Sequence, residues 1–493
     1  MHNNFDSEGD NLKIFDNYEF TRDSLKSDFI DCSDFLMREV IIAGRRALLC
    51  AMDGLVDSVA LSNMVTEPLL SCKKTFDTAK EQFEYLKTSV IAAAEMNEAE
   101  TFEDAEFFMM SGFIVVYLEG YAKALALGVQ GWNRRSTDEP TNEAMVKGAK
   151  ECFVEVLNDN KALLRKRLKT HKLKLRQLKL GSAAQVPVVI AYVEGRAEAD
   201  DVAEIERRLT SAPLETVTDF GQLIAFSEQG NRSFFTTVGN TERPDVFASK
   251  LMEGRVGVMI EGTPFAIYTP YLFSDNFSSL DDYNNPPFYS SFIRILKYFA
   301  FGISTFLPAL YVAVGSFHQE MIPTTLLYLV ASSEETTPFP LLLEAIIIHL
   351  LYEIMREAGL RQPSTIGHAV SIIGAIVIGE AMVTAGLIGE PMLVVVALTA
   401  IASYVVYPLY ESVAVLRLVF IVIAGLTGIY GLTVSAAALF VNICSLSSLG
   451  VVYTAPITPL TPSSVGDTLV RRGWRYLARR RVRIKNLEGT VDE

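Results

Sequence analysis

The chain has 493 residues, half of them hydrophobic and 21% charged, with a formal charge of −14. That acidic balance argues against nucleic acid as a partner, because neutralising phosphates requires a basic footprint. Five cysteines, with no C-x-x-C and no Cys/His cluster, point to reduced thiols in a cytosolic domain rather than a disulfide framework or a metal module.

Residues 1–30 are polar and acidic and lack the apolar core of a signal peptide, so a disordered N-terminus leading into a cytoplasmic module is expected. Residues 31–145 and 185–285 then resemble each other. Gly112-Phe-Ile-Val-Val-Tyr-Leu-Glu-Gly120 is echoed about 142 positions later by Gly254-Arg-Val-Gly-Val-Met-Ile-Glu-Gly262. Likewise Ala47-Leu-Leu-Cys-Ala-Met-Asp-Gly54 is echoed by Val188-Val-Ile-Ala-Tyr-Val-Glu-Gly195. Each run is short, apolar and closed by glycine, as a buried strand ending in a turn should be. The repeat predicts two related α/β subdomains. The Glu-Gly pairs fit hairpin turns in which glycine takes positive φ, a catalytic Glu119 or Glu261 being the weaker alternative.

Residues 146–184, between the two copies, form a basic helical linker that includes Lys161, Arg165, Lys174 and Arg176. The pattern predicts a helix over 153–168 followed by a basic extended link. That link is either a solvated face or a contact with anionic lipid headgroups or with an acidic patch of a neighbouring subunit.

From residue 286 to 455 the chain turns apolar, and between Lys297 and Arg471 only Arg356, Arg361 and Arg417 are strongly basic. Apolar stretches fall at 291–315, 341–354, 366–388, 391–407, 418–432 and 433–452, where a membrane helix needs roughly 20 residues. If the chain crosses at each, Arg294, Lys297, Arg356, Arg361, Arg417 and the basic tail 456–493 all fall on one side. The opposite loops, near 317–338, 389 and 432, hold no lysine or arginine. The positive-inside rule then places both termini in the cytoplasm. Six crossings fit every charge, and four remain if the stretches at 341 and 418 are re-entrant or interfacial. The expected fold is therefore an α/β cytoplasmic domain of two related subdomains followed by an α-helical polytopic membrane domain with 4–6 crossings.

Glu380 lies within 366–388, where an ionisable group costs on the order of 3 kcal/mol and normally faces protein or water. It is either a pore-lining carboxylate that favours cations or a neutral acid hydrogen-bonded between helices. Gly367, Ser371, Ala375 and Gly379 recur every four residues, a stripe that permits close helix packing or lines a narrow pore. The pore-lining candidates are Glu380, Ser371, Gly367, Gly374 and Val377. On the 341 helix His349, Glu353 and Glu357 share one face, as a water-facing wall, a proton relay or a subunit contact. Two carboxylates and one histidine without a second clustered histidine make no metal site. Neither a phosphate-binding glycine loop nor a G-x-S-x-G elbow occurs, so neither an enzyme nor a cofactor is expected.

Several stretches together resemble the A subunits of bacterial spore germinant receptors, the GerA family. They are Thr241-Glu-Arg-Pro-Asp-Val246, Lys250-Leu-Met-Glu-Gly-Arg-Val-Gly-Val-Met-Ile-Glu-Gly-Thr-Pro-Phe265, Pro338-Phe-Pro340, Arg356-Glu-Ala-Gly-Leu-Arg361, Gly367-His-Ala-Val-Ser-Ile-Ile-Gly374 and Val396-Ala-Leu-Thr-Ala-Ile-Ala-Ser403. The resemblance spans roughly residues 31–481, with two departures: Glu380 stands where an amide is expected, and Cys152-Phe-Val-Glu replaces Gly-Phe-Thr-Glu. It implies a subunit of a nutrient-sensing complex in the spore inner membrane, soluble domain inside. The implied partners are a transporter-like B subunit that binds germinant, a lipoprotein C subunit, membrane lipid, and further copies forming a pentameric ring that conducts ions. A secondary transporter and a non-conducting scaffold are the competing possibilities; a repeat confined to the soluble half speaks against the transporter.

Overall fold

A computed structural model describes residues 13–91, 95–131, 143, 148–228, 233–361, 379–458, 467–477 and 484. The chain divides into two units, one of Met1–Gly230, Val238–Tyr271 and Arg481–Thr490, the other of Asn231–Thr237, Leu272–Arg480 and Val491–Glu493.

In the first unit, β1 (Phe35–Ile42), β2 (Arg45–Met52), β3 (Met96–Ala99), β4 (Phe113–Leu118) and β5 (Ala124–Gly128) form a sheet ordered β1-β2-β4-β5-β3. A second sheet contains β6 (Leu173–Leu180), β7 (Val186–Val193), β8 (Gly239–Thr241), β9 (Val256–Ile260) and β10 (Ala266–Thr269). Its order, β6-β7-β9-β10-β8, follows the same path. The echoed runs occupy matching places, β2 and β7 second in each order, β4 and β9 third. Gly120 and Gly262 open the turns after β4 and β9 with φ of 80° and 93°, which glycine adopts without a Cβ clash.

Strand alternation divides the first sheet's core in two. Leu48, Cys50, Val115 and Tyr117 face α1 (Tyr18–Asp28) and α2 (Phe102–Met109), while Leu49, Ala51, Ile114 and Val116 face helical residues 58–71 and 79–90. With both faces covered, the central strands β4 and β5 read as unbroken apolar runs. In the second sheet, Leu175, Val189, Ala191 and Met259 pack with residues of α3 (Leu157–Arg167) and α5 (Pro244–Met252), and α4 (Ala199–Thr210) completes the labelled helices of this unit.

The stretch expected to be an extended link is strand β6. Two of its basic residues, Lys174 and Arg176, meet the segment leading into the first sheet, while Lys179 is exposed. Ser33 donates its N–H to the Leu175 carbonyl and Leu175 donates to that of Asp31, each at 3.0 Å. Lys174 Nζ reaches the Asp28 carbonyl at 2.7 Å, and Arg176 pairs with Asp31 and Glu206, both at 2.5 Å. Beside them Arg165 of α3 grips Asp34 with two hydrogen bonds, Nε–Oδ2 at 2.7 Å and Nη2–Oδ1 at 3.1 Å. This joint fastens the two sheets.

The second unit is helical: α6 (Pro287–Phe317), α7 (Thr324–Glu334), α8 (Leu341–Leu360), α9 (Glu390–Val405) and α10 (Tyr410–Ser445). By length and composition Pro287–Phe317 and Tyr407–Ser445 could each cross a membrane, and α9 is apolar but shorter. The run of α10 is broken at Gly428, with φ 66° and ψ −155°. Ser412 on its first limb bonds the Phe234 carbonyl, and Asn442 on its second accepts from Ser233 Oγ at 2.9 Å. Both limbs therefore return to the same short segment, and α10 is a hairpin of helices. The sequence divides this stretch at 432; the backbone divides it at Gly428, beside Phe317 and His318 at the end of α6.

Candidate functional site

The three polar residues that share a face of α8 in sequence have three different environments. Glu353 accepts from Tyr410 Oη at 2.9 Å, from Arg356 Nε at 3.1 Å and from Arg417 Nη2. Arg417 is buried in α10 and also donates to Ser403 Oγ of α9 at 3.2 Å. One ionic network thus ties α8, α9 and α10, its charges kept in an apolar setting by mutual pairing. His349 is buried, with Nδ1 2.8 Å from the Ala345 carbonyl, so Nδ1 carries the proton. Its Nε2 has no hydrogen-bond partner among the described residues. Glu357, near the helix end, pairs with Arg361 at 2.8 Å. No group of three or more His, Cys, Asp or Glu among the described residues could hold a metal ion.

The charge pattern places Arg417 in an inside loop. It lies instead within a helix and is buried, and a lone arginine in an apolar stretch is itself the signal for a hidden partner. Arg294 is likewise inside α6, buried against Asp282 at 2.7 Å and Asp467 at 3.1 Å. Glu344, given no role by the sequence, is buried at the start of α8 and accepts the Gly389 N–H at 2.6 Å.

Glu380 is exposed on the surface of the single chain, next to Gly379, which packs beside Leu393. The other pore-lining candidates, Gly367, Ser371, Gly374 and Val377, lie outside the described residues. In the first unit, Glu119 pairs with Arg46 at 2.7 Å, and Glu261 accepts the N–H of Leu157 at 2.9 Å, at the first turn of α3. Both serve the fold in these contacts. His171 sits 2.6 Å from Glu106 of α2, and that hydrogen bond raises its pKa above the usual 6.5.

The sequence profile of the family described as Bacillus/Clostridium GerA spore germination protein matches residues 23–483. The chain is 35% identical over 448 residues to spore germination protein KA of Bacillus subtilis, covering 90% of this chain and 82% of that protein. It is 32% identical over 450 residues to spore germination protein GerLA of Bacillus cereus, covering 90% of each. Among solved structures it is similar to the N-terminal domain of the A subunit of the Bacillus megaterium spore germinant receptor GerK3. That match has 25% identity, covers 53% of this chain and 98% of the domain, and has a TM-score of 0.42.

Proposed function

Because the chain belongs to the Bacillus/Clostridium GerA spore germination family, we propose that it is the A-type membrane subunit of a nutrient germinant receptor and forms its germinant-gated cation path. It works in the spore inner membrane with a transporter-like B subunit and a lipoprotein C subunit. Copies assemble into a ring, pentameric in the family expectation, whose pore is lined by residues 366–388. The soluble unit and both termini face the cytoplasm.

Six crossings are proposed: α6, α8, the stretch 366–388, α9 and the two limbs of α10. Helix directions support this count. Glu344 at the start of α8 meets Gly389 just before α9, while Glu353, farther along α8, meets Tyr410 at the start of α10. The starts of α8 and α9 therefore lie together, with the start of α10 beside a later turn of α8.

Glu380 carries the channel reading. It sits in a stretch of spanning length and faces outward from the single chain, whereas Glu344 and Glu353 are hydrogen-bonded within it. Facing lipid, such a group would cost about 2.5–3.5 kcal/mol; facing a water-filled ring axis, it would concentrate cations. The test is ion flux through the full-length protein, assembled with its partner subunits in liposomes. Glu380→Gln should lower cation flux or selectivity with assembly intact, and Glu380→Lys should suppress it. Unchanged flux and selectivity in an assembled Glu380→Gln complex would place the pore elsewhere.

A further inference from the structure

We propose that residues 467–477, docked on the start of α6, build a binding surface for anionic phospholipid headgroups. The docking is specific. Asp467 accepts from Tyr283 Oη at 2.9 Å and from Arg294 Nη1 at 3.1 Å. Arg471 donates its backbone N–H to Ser291 Oγ at 3.0 Å. The Arg471 guanidinium and the Trp474 indole both donate to the Tyr283 carbonyl at 3.2 Å. The Tyr283 ring lies 5.4 Å from the Arg294 guanidinium and 5.7 Å from that of Arg471. Two arginines, both buried, are thus consumed in holding the segment.

Arg472 and Arg475 are used differently. Both are exposed, Arg472 lying over the Tyr476 ring at 4.3 Å, and among the described residues neither meets a carboxylate. Beside them Trp474 is 60% exposed, and the first turns of α6 present Phe288, 92% exposed, together with Tyr289 and Phe292. At 31 residues α6 is about 46 Å long, against roughly 30 Å of hydrocarbon. Its first turns therefore lie at headgroup depth when the remainder spans, which is where exposed aromatic rings and basic side chains are favoured. Aromatic rings at that depth fit the acyl–headgroup boundary, and two guanidiniums without acidic partners fit lipid phosphate. The occupant is an anionic phospholipid, not a second protein.

This surface presupposes the membrane placement proposed above but not the conducting role. The chain has two tryptophans, so Trp132→Phe leaves Trp474 as sole reporter in the full-length protein. In detergent micelles titrated with brominated lipids, phosphatidylglycerol should quench Trp474 at a mole fraction roughly 25-fold lower than phosphatidylcholine, at about fivefold for each of the two arginines. Arg472→Gln with Arg475→Gln should abolish the preference while quenching by both lipids persists. Equal quenching in the parent protein, or none by either lipid, overturns the proposal. A tryptophan at Leu310, in a background lacking both native tryptophans, reports the middle of α6. Its quenching by either lipid establishes that α6 enters lipid, so failure at Trp474 alone refutes the headgroup site and leaves the membrane placement standing.

Discussion

Replacing Asp34 by asparagine strips Arg165 of its counter-charge in a place water does not reach. Both side chains are 0% exposed and joined at 2.7 Å, and asparagine keeps the shape, so the substitution isolates charge. Removing one partner of a buried ion pair costs about 3–5 kcal/mol, and the remaining amide oxygen, which still accepts one N–H, sets the expectation at the lower end. At 1.4 kcal/mol per factor of ten, opening of the joint becomes about 100-fold more frequent. Cys32 reports that opening. Its thiol is buried, lies 3.5 Å from the Leu173 carbonyl, and is pushed up in pKa by that burial. Labelling of Cys32 in the full-length protein, followed on its peptide by mass spectrometry, should accelerate by that factor. Acceleration below about fivefold would show that the pair does not hold the joint. Asp34→Leu combined with Arg165→Met removes both charges, and labelling should return most of the way to the native rate.

The His171–Glu106 hydrogen bond makes the same joint pH-dependent. Because Glu106 raises the His171 pKa, the contribution is complete below pH 6.5 and is lost as pH rises through the raised value. Cys32 labelling, corrected for thiolate fraction, should speed up across that window, and His171→Gln should flatten the profile. In the helical unit, Glu353→Ala strands the buried Arg417 and should cost about 3–5 kcal/mol, read from SDS denaturation in mixed micelles. Tyr410→Phe, which loses one hydrogen bond to Glu353, should cost about 1 kcal/mol in the same assay. Gly428→Ala forces a Cβ into positive φ about 3.0 Å from His318 and should cost about 1–3 kcal/mol; a neutral result would mean the bend relaxes freely.

The buried runs of β2, β4, β7 and β9 were legible because burial on both faces leaves mostly apolar residues, and their turns require glycine. Strand β6 reads in the sequence only as an extended link, since Leu-Lys-Leu-Arg-Gln-Leu-Lys-Leu nearly alternates but its charges resemble a solvated face. Their partners lie 145 and 146 positions earlier, a separation no local pattern carries. The Glu353–Arg417 pair spans 64 positions and was hidden for the same reason. The bend in α10 falls four residues before the division at 432 because hydropathy is continuous across Gly428; only its backbone angle breaks the helix. His349, Glu353 and Glu357 were correctly placed on one helix, yet the helices that pack on them assign their roles. Glu380 was picked out by charge alone, and its outward position is the part that needed coordinates.

Two sheets with one strand order give this molecule an internal standard of comparison. Glu119 and Glu261 follow corresponding strands, yet one clamps an arginine of a neighbouring strand and the other receives the first turn of a helix. Arg38 and Arg176 hold the same register in the first strand of each order; Arg38 is exposed, while Arg176 is locked between Asp31 and Glu206. Where the two halves agree, as at the glycines closing β4 and β9, the residue answers to the geometry of the sheet. Where identical residues have been given unlike surroundings, the difference marks what each half was recruited to touch. A substitution transplanted from one half to its counterpart thus separates the demands of folding from those of assembly inside a single polypeptide.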